Sequence, residues 1–128
     1  FDDADRYLGK PPDDAYLADL LADRTFVAIA GLADGVVVGG LAGYVLRKFE
    51  RATSEVYLYD LAVLETHRRR GVATRMIEAL QRFAAAHGAE VIFVQADYGD
   101  DAAIALYTRL GTREDVMHFD IPPAADGA

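Results

Sequence analysis

Apolar residues recur along this chain with two different periods. After Pro11-Pro12-Asp13, Leu17, Leu20 and Leu21 fall at helical spacing and predict a helix. Residues 25–33 read as a strand, Ala33-Asp34-Gly35 as a hairpin turn that tolerates positive φ, and residues 36–46 as the return strand. The Gly39-Gly40 pair inside that return strand weakens it or marks a bulge. Residues 47–54 are polar, and 55–63 form a third strand pattern. A polar, Arg-rich loop over 64–70 precedes a longer helix, with Ala73, Met76, Ile77, Leu80, Phe83, Ala84 and His87 on one face and Gly88 closing it. The nearly unbroken apolar run 91–96 predicts a buried strand. Asp100 or Asp101 caps a short helix carrying Ala103, Leu106, Tyr107 and Leu110, which Gly111 ends; residues 112–121 then predict a last strand. Antiparallel strands followed by a βαβ crossover imply an α/β fold with a mixed sheet.

The pattern shows no repeat and no linker, so residues 1–121 are expected to form a single domain, with 122–128 a flexible tail. Phe1 is not a Met, so N-terminal elements are expected to have been cut away. No run reaches the roughly 18 apolar residues of a membrane helix, and the chain shows no basic-then-apolar leader pattern. With no cysteine there can be no disulfide, no Cys-ligated zinc and no acyl-cysteine intermediate. Thirteen Lys and Arg against twenty-one Asp and Glu give a net charge of −8. That balance argues against nucleic acid, whose phosphates need a basic face, and favours cationic partners by long-range attraction. Acidity also serves plain solubility.

Against that acidic background stands Arg68-Arg69-Arg70-Gly71-Val72-Ala73-Thr74, after an apolar strand and at the start of a helix. Three arginines there oppose the helix dipole, which favours anions. The unpaired N–H groups of a helix start bind phosphate, and the small Gly71 and Ala73 let backbone approach a pyrophosphate closely. The alternative is a solvated basic turn with a glycine for geometry.

Arg68-x-x-Gly71-x-Ala73 after Leu61-Ala62-Val63 resembles the coenzyme A pyrophosphate loop of the GNAT N-acetyltransferases, and Asp100-x-x-Ala103-Ile104-x-Leu106-Tyr107-x-x-Leu110-Gly111 resembles their late helix. Asp100 stands where that family usually has Asn, which touches a side-chain amide contact to the pantetheine arm. The resemblance implies a mostly antiparallel sheet with a central, splayed parallel strand pair and flanking helices. It implies acetyl-CoA as cosubstrate, no metal, a cytoplasmic location and a homodimer. Blocks at residues 57–63, 94–101 and 116–120 further resemble type I aminoglycoside 3-N-acetyltransferases, which inactivate gentamicin-like antibiotics at the 3-amine of the deoxystreptamine ring. That resemblance supplies the substrate class. The alternatives are a GNAT enzyme acting on a polyamine or a protein amino group, and a non-catalytic coenzyme A-binding domain.

Direct acetyl transfer requires a held thioester, a polarised carbonyl, a free-base amine and a proton for the departing thiolate. The resemblance assigns the pantetheine contacts to Leu61, Ala62 and Val63, the oxyanion contact to the Val63 N–H, and the phosphates to Arg68 through Thr74. It assigns Asp100 and Ala103 to the cofactor, and Tyr107 as acid; helical position alone favours reading Tyr107 as a core residue beside Leu106. Counting alternate residues from Glu55 puts Asp60 on the apolar face with Val56, Leu58 and Ala62, which makes it the candidate base, with Glu55 as rival. Asp60, Asp97, Tyr98, Asp101, Glu114 and Asp115 are the candidate substrate contacts, since clustered carboxylates attract a polycation.

Overall fold

The computed structural model describes residues 11–125, and the chain divides into two compact units, 1–95 and 96–128. The first unit holds helix α1 (Asp14–Ala22), strands β1 (Phe26–Ala33), β2 (Val36–Arg47) and β3 (Ser54–Val63), helix α2 (Val72–Ala86) and strand β4 (Ala89–Val94). The second unit holds helix α3 (Asp101–Leu110). The expected tail lies partly beyond the described residues.

Asp13 caps α1 by accepting a hydrogen bond from the Tyr16 N–H at 2.9 Å. The leucine stripe of α1 is not buried: Leu17 and Leu21 are exposed. Asp34 and Gly35 both take positive φ, 52° and 78°, which lets a two-residue turn match the twist of β1 and β2. The sheet runs β1-β2-β3-β4, with the first two pairings antiparallel and β3-β4 parallel. The parallel pair is therefore present, but among the described residues it closes one edge of the sheet, and Val91 of β4 is exposed rather than buried on both faces.

Two irregularities shape the sheet. Gly31 opposes Gly39 and Leu32 opposes Val37, so Val38 is an extra residue in β2, next to the glycine pair that marked a bulge in the sequence. Leu58 opposes Gly43 and Asp60 opposes Ala42, so Tyr59 is an extra residue in β3. Residues directly opposite each other share a face. Val27, Leu41, Val56 and Leu58 are buried on the face where α2 packs, beneath Met76, Ile77, Leu80 and Ala84 of that helix. The opposite face carries an aromatic row: Phe26 touches Tyr44, the Tyr59 ring touches both Tyr44 and Tyr57, and Tyr57 and Phe93 stack at 4.6 Å.

The strand expected over residues 112–121 does not form; these residues carry no strand pairing. Glu114-Asp115 and Asp120 interrupt its apolar alternation, and Val116, Met117, Phe119 and Ile121 remain exposed. A strand exists only by pairing, which sequence alternation cannot supply.

Leu80 is fully buried at the centre of the α2 stripe. Leu80→Ala should cost about 2–5 kcal/mol of unfolding free energy through lost burial and the cavity left behind. Denaturant unfolding of the variant measures this directly.

Candidate functional site

The pairing of β3 with β4 runs from Ser54↔Ala89 to Leu58↔Val94 and stops there. The stop coincides with the extra residue Tyr59, because a bulge bends its strand and increases the local twist. Beyond it, Leu61, Ala62 and Val63 keep their β2 partners and have no β4 partner. The Leu64 N–H donates to the Val38 carbonyl at 2.8 Å, toward β2. Successive backbone groups point to opposite edges, so the Val63 N–H and C=O turn toward the open edge. Arg68 is found there: its Nε donates to the Val63 carbonyl at 3.2 Å.

This edge forms one wall of an open cleft of about 390 Å³, lined by Val37, Val38, Gly39, Gly40, Ala62, Val63, Leu64, Glu65 and Arg68. Arg69 and Gly71 both adopt left-handed backbone, φ 63° and 80°. For a non-glycine residue that conformation costs roughly 1–2 kcal/mol, and such strain gathers at functional turns. Gly71 is the N-cap of α2 and makes no side-chain cap hydrogen bond, and no acidic residue stands in the first turn of this helix. Among the described residues, the other two α-helices are capped by Asp13 and Asp100. Leaving the α2 donors uncapped beside Arg68, Arg69 and Arg70 makes a site for an anion with several oxygens.

The structure separates the two carboxylates of β3. Glu55 lies at the far end, eight residues before Val63 and so about 26 Å away along the strand. There it accepts from Lys48 Nζ at 3.4 Å, and Lys48 also donates to Glu90 at 2.8 Å. Those contacts, Glu90 first, hold the Lys48 pKa above its ordinary value. Asp60 is half-buried near the open edge, but not on the face that simple alternation gave. Its partner Ala42 lies two residues before Tyr44 on the same face of β2, and Tyr44 opposes Tyr57, so Asp60 faces the aromatic side and not α2. The extra residue Tyr59 shifts the parity by one.

The remaining candidates belong to the second unit. Asp100 Oδ1 accepts from the Ala103 N–H at 3.3 Å and so caps α3; Asp101 opens that helix, and Tyr107 lies two turns along it. Asp97 gives its carbonyl to the Asp100 N–H at 3.2 Å. Arg113 pairs with Asp115 at 2.8 Å and stands over the Tyr98 ring at 5.7 Å, with Asp115 the larger cause of its raised pKa. Asp115 thus carries a cation of its own, while Glu114 is exposed. The sequence left Glu65 unmarked as a cleft residue and Tyr59 unmarked as the extra residue of β3, whereas Gly39-Gly40 marked the bulge at Val38. Only the glycines left a signal, as small residues in otherwise bulky strands.

Residues 2–112 match the Acetyltransferase (GNAT) family, and the chain belongs to that family. A crystal structure of an aminoglycoside acetyltransferase, HMB0005, from an uncultured soil metagenomic sample is similar at a TM-score of 0.92 and 54% identity, over 97% of this chain and 83% of that one. The N-terminal acetyltransferase A complex catalytic subunit NAA10 of Arabidopsis thaliana is 37% identical over 73 residues, covering 55% of this chain and 38% of its own length. Aminoglycoside N(6′)-acetyltransferase type 1 of Salmonella typhimurium is 38% identical over 79 residues, covering 56% of this chain and 54% of its own length. The chain thus spans 38% to 54% of the length of these curated relatives.

If the α2 start is an anion site, its backbone shape is essential. Gly71→Val forces a β-branched residue into φ 80°, and should raise the Kd for coenzyme A at least tenfold while the variant stays folded. Calorimetric titration with coenzyme A decides it; unchanged affinity removes the assignment.

Proposed function

We propose that this chain is an acetyl-CoA-dependent N-acetyltransferase that acetylates an amine of aminoglycoside antibiotics and so inactivates them. The observation that carries the chemistry is the open edge at Leu61-Ala62-Val63 meeting, in one cleft, the arginine that precedes the uncapped start of α2. The residues fit coenzyme A: Arg68 through Thr74 would hold its phosphates, and the open-edge backbone of the Leu61-Ala62-Val63 segment its pantetheine amides. Acetyl-CoA supplies the activated acetyl group as a thioester. The Val63 N–H, turned toward the open edge, would donate to the thioester oxygen as that oxygen gains charge. Tyr107, on the resemblance of α3 to the family's late helix, gives its hydroxyl proton to the departing sulfur. Asp60 takes a proton from the substrate ammonium, directly or through water, because only the free base attacks. Asp97, Tyr98, Asp101, Glu114 and Asp115 would supply attraction for a polycation, and the family resemblance assigns Asp100 and Ala103 to the cofactor.

The substrate class is supported by the similarity to HMB0005 and by the chain's net charge of −8. The sequence blocks around Asp60, Asp97 and His118 support the 3-amine as the site of transfer, and gentamicin-like compounds as substrates. The Salmonella relative is named for the 6′ position, which makes that amine the rival. The same resemblance supports a homodimer and a cytoplasmic location. A protein amino terminus is the second reading, favoured by the Arabidopsis relative.

Thiol release from acetyl-CoA, measured across sisomicin, spermidine and a peptide, should be fastest with sisomicin. Mass spectrometry of the product should place the acetyl group on the 3-amine; acetylation at the 6′-amine would correct the position, and turnover with peptide alone would replace the substrate. Tyr107→Phe should lower kcat roughly 10–1000-fold with little change in acetyl-CoA affinity. Asp60→Asn should lower kcat and abolish the acidic limb of its pH profile, whereas Asp97→Asn should chiefly raise KM. Normal kcat in Asp60→Asn together with its loss in Glu55→Gln would transfer the base role to Glu55.

A further inference from the structure

Gly31 and Gly39 are direct cross-strand partners in β1 and β2, on the face that carries α2. Val72, the first residue of α2, rests on this pair. A methyl group placed on Gly31 would lie 2.9 Å from Val72 Cγ1 and 3.3 Å from Met76 Sδ. One placed on Gly39 would lie 3.1 Å from the Ala62 carbonyl oxygen, 3.1 Å from Met76 Cε and 3.2 Å from Val72 Cγ1. Neither glycine has a positive φ, so backbone conformation does not demand them. What demands them is space: with Val72 and Met76 where they are, a methyl on either strand meets a side chain of the first turn at closer than ordinary van der Waals contact.

We infer that the Gly31–Gly39 pair is a seat that fixes the height of the α2 N-terminus above the sheet, and so sets the position of the phosphate-binding N–H groups relative to the pantetheine edge. This inference rests on the coenzyme A reading given above. Val72 is β-branched and holds one rotamer firmly in a helix, so Val72 Cγ1 cannot swing clear of a new methyl. The helix start has to rise instead. Its N–H groups point together at one ligand, and a displacement of a few tenths of an ångström degrades all of those hydrogen bonds at once. Met76, one turn further on, is flexible and yields without moving the helix. Gly31 and Gly39 therefore act through Val72, as positioning residues. The Gly39 seat also abuts the Ala62 carbonyl oxygen, so the same contact gauges the helix start against the edge strand.

The test compares acetyl-CoA with S-acetylpantetheine, which has the same thioester arm and no pyrophosphate. Wild type should bind acetyl-CoA at least 100-fold more tightly; no preference would overturn both this inference and the coenzyme A reading beneath it. Given that preference, Gly31→Ala should raise the acetyl-CoA Kd about tenfold and leave kcat/KM with S-acetylpantetheine within twofold. Adding Val72→Ala removes the methyl that collides and keeps the Val72 backbone N–H, the only group of that residue assigned to the phosphates, and should return the acetyl-CoA Kd to within about threefold of wild type. A general loss of structure would weaken both thioesters alike. If Gly31→Ala alone does not fold, the double variant does, and it restores acetyl-CoA binding. Equal weakening of both thioesters in Gly31→Ala, unchanged acetyl-CoA affinity, or no rescue by Val72→Ala overturns the seat and leaves the coenzyme A reading standing.

Discussion

Between Leu58 and Asp60 the third strand carries one residue more than its antiparallel partner opposes, and the geometry of the cleft follows from that residue. An extra residue bends a strand and steepens its twist, so β3 and β4 pair only as far as Leu58↔Val94 and then part. Parting leaves backbone donors and acceptors at an open edge, where an unmet group costs about 1–3 kcal/mol if it is also desolvated. One acceptor is met from within the chain, by Arg68 on the Val63 carbonyl. The edge that remains is backbone in extended form, able to pair with another extended, amide-bearing chain. Tyr59 thus ends the parallel pairing of β3 with β4 and leaves an open edge.

The second constraint is the meeting of that slot with the start of α2. The helix is held by an apolar stripe, Met76, Ile77, Leu80 and Ala84, against Val56, Leu58 and their neighbours. Its first turn is lowered onto the sheet because Gly31 and Gly39 leave room for Val72. Arg69 in left-handed backbone and three arginines against a helix dipole are unfavourable in isolation. Both are consistent with a turn whose shape and charge serve a bound anion. At the other end of the sheet, Lys48 gathers Glu50, Glu55 and Glu90 and ties the β2–β3 loop to the beginning of β4. That network is structural, and it holds Glu55 far from the slot.

Much of this was legible in the chain itself. The helix over residues 72–86 and its buried face follow from 3.6-residue periodicity, and the hairpin at Asp34-Gly35 from turn chemistry, because each depends on neighbours in sequence. The uncapped, basic start of α2 was legible for the same reason: Gly71 and the arginines are adjacent. The parallel β3–β4 pair and the family-like order of motifs followed from strand and helix succession.

What only the tertiary structure decided depends on partners remote in sequence. Alternation from Glu55 put Asp60 on the α2 face, but the register with β2 inserts Tyr59 and turns Asp60 to the aromatic face; a bulge is a property of two strands, and one strand's sequence does not record it. Residues 112–121 suggest a strand by the apolar positions of Val116, Met117, Phe119 and Ile121 and form none, since a ladder needs an edge to join. The span between Glu55 and the slot, the emergence of Glu65 into the cleft, and the role of Gly31 beneath Val72 likewise exist only once β1, β2, β3 and α2 are packed together. The sequence by itself determined the elements and the charge at one helix start. Cross-strand register and close packing decided which backbone groups stay open and which carboxylate stands near them, because both are set by contacts between segments that sequence keeps apart.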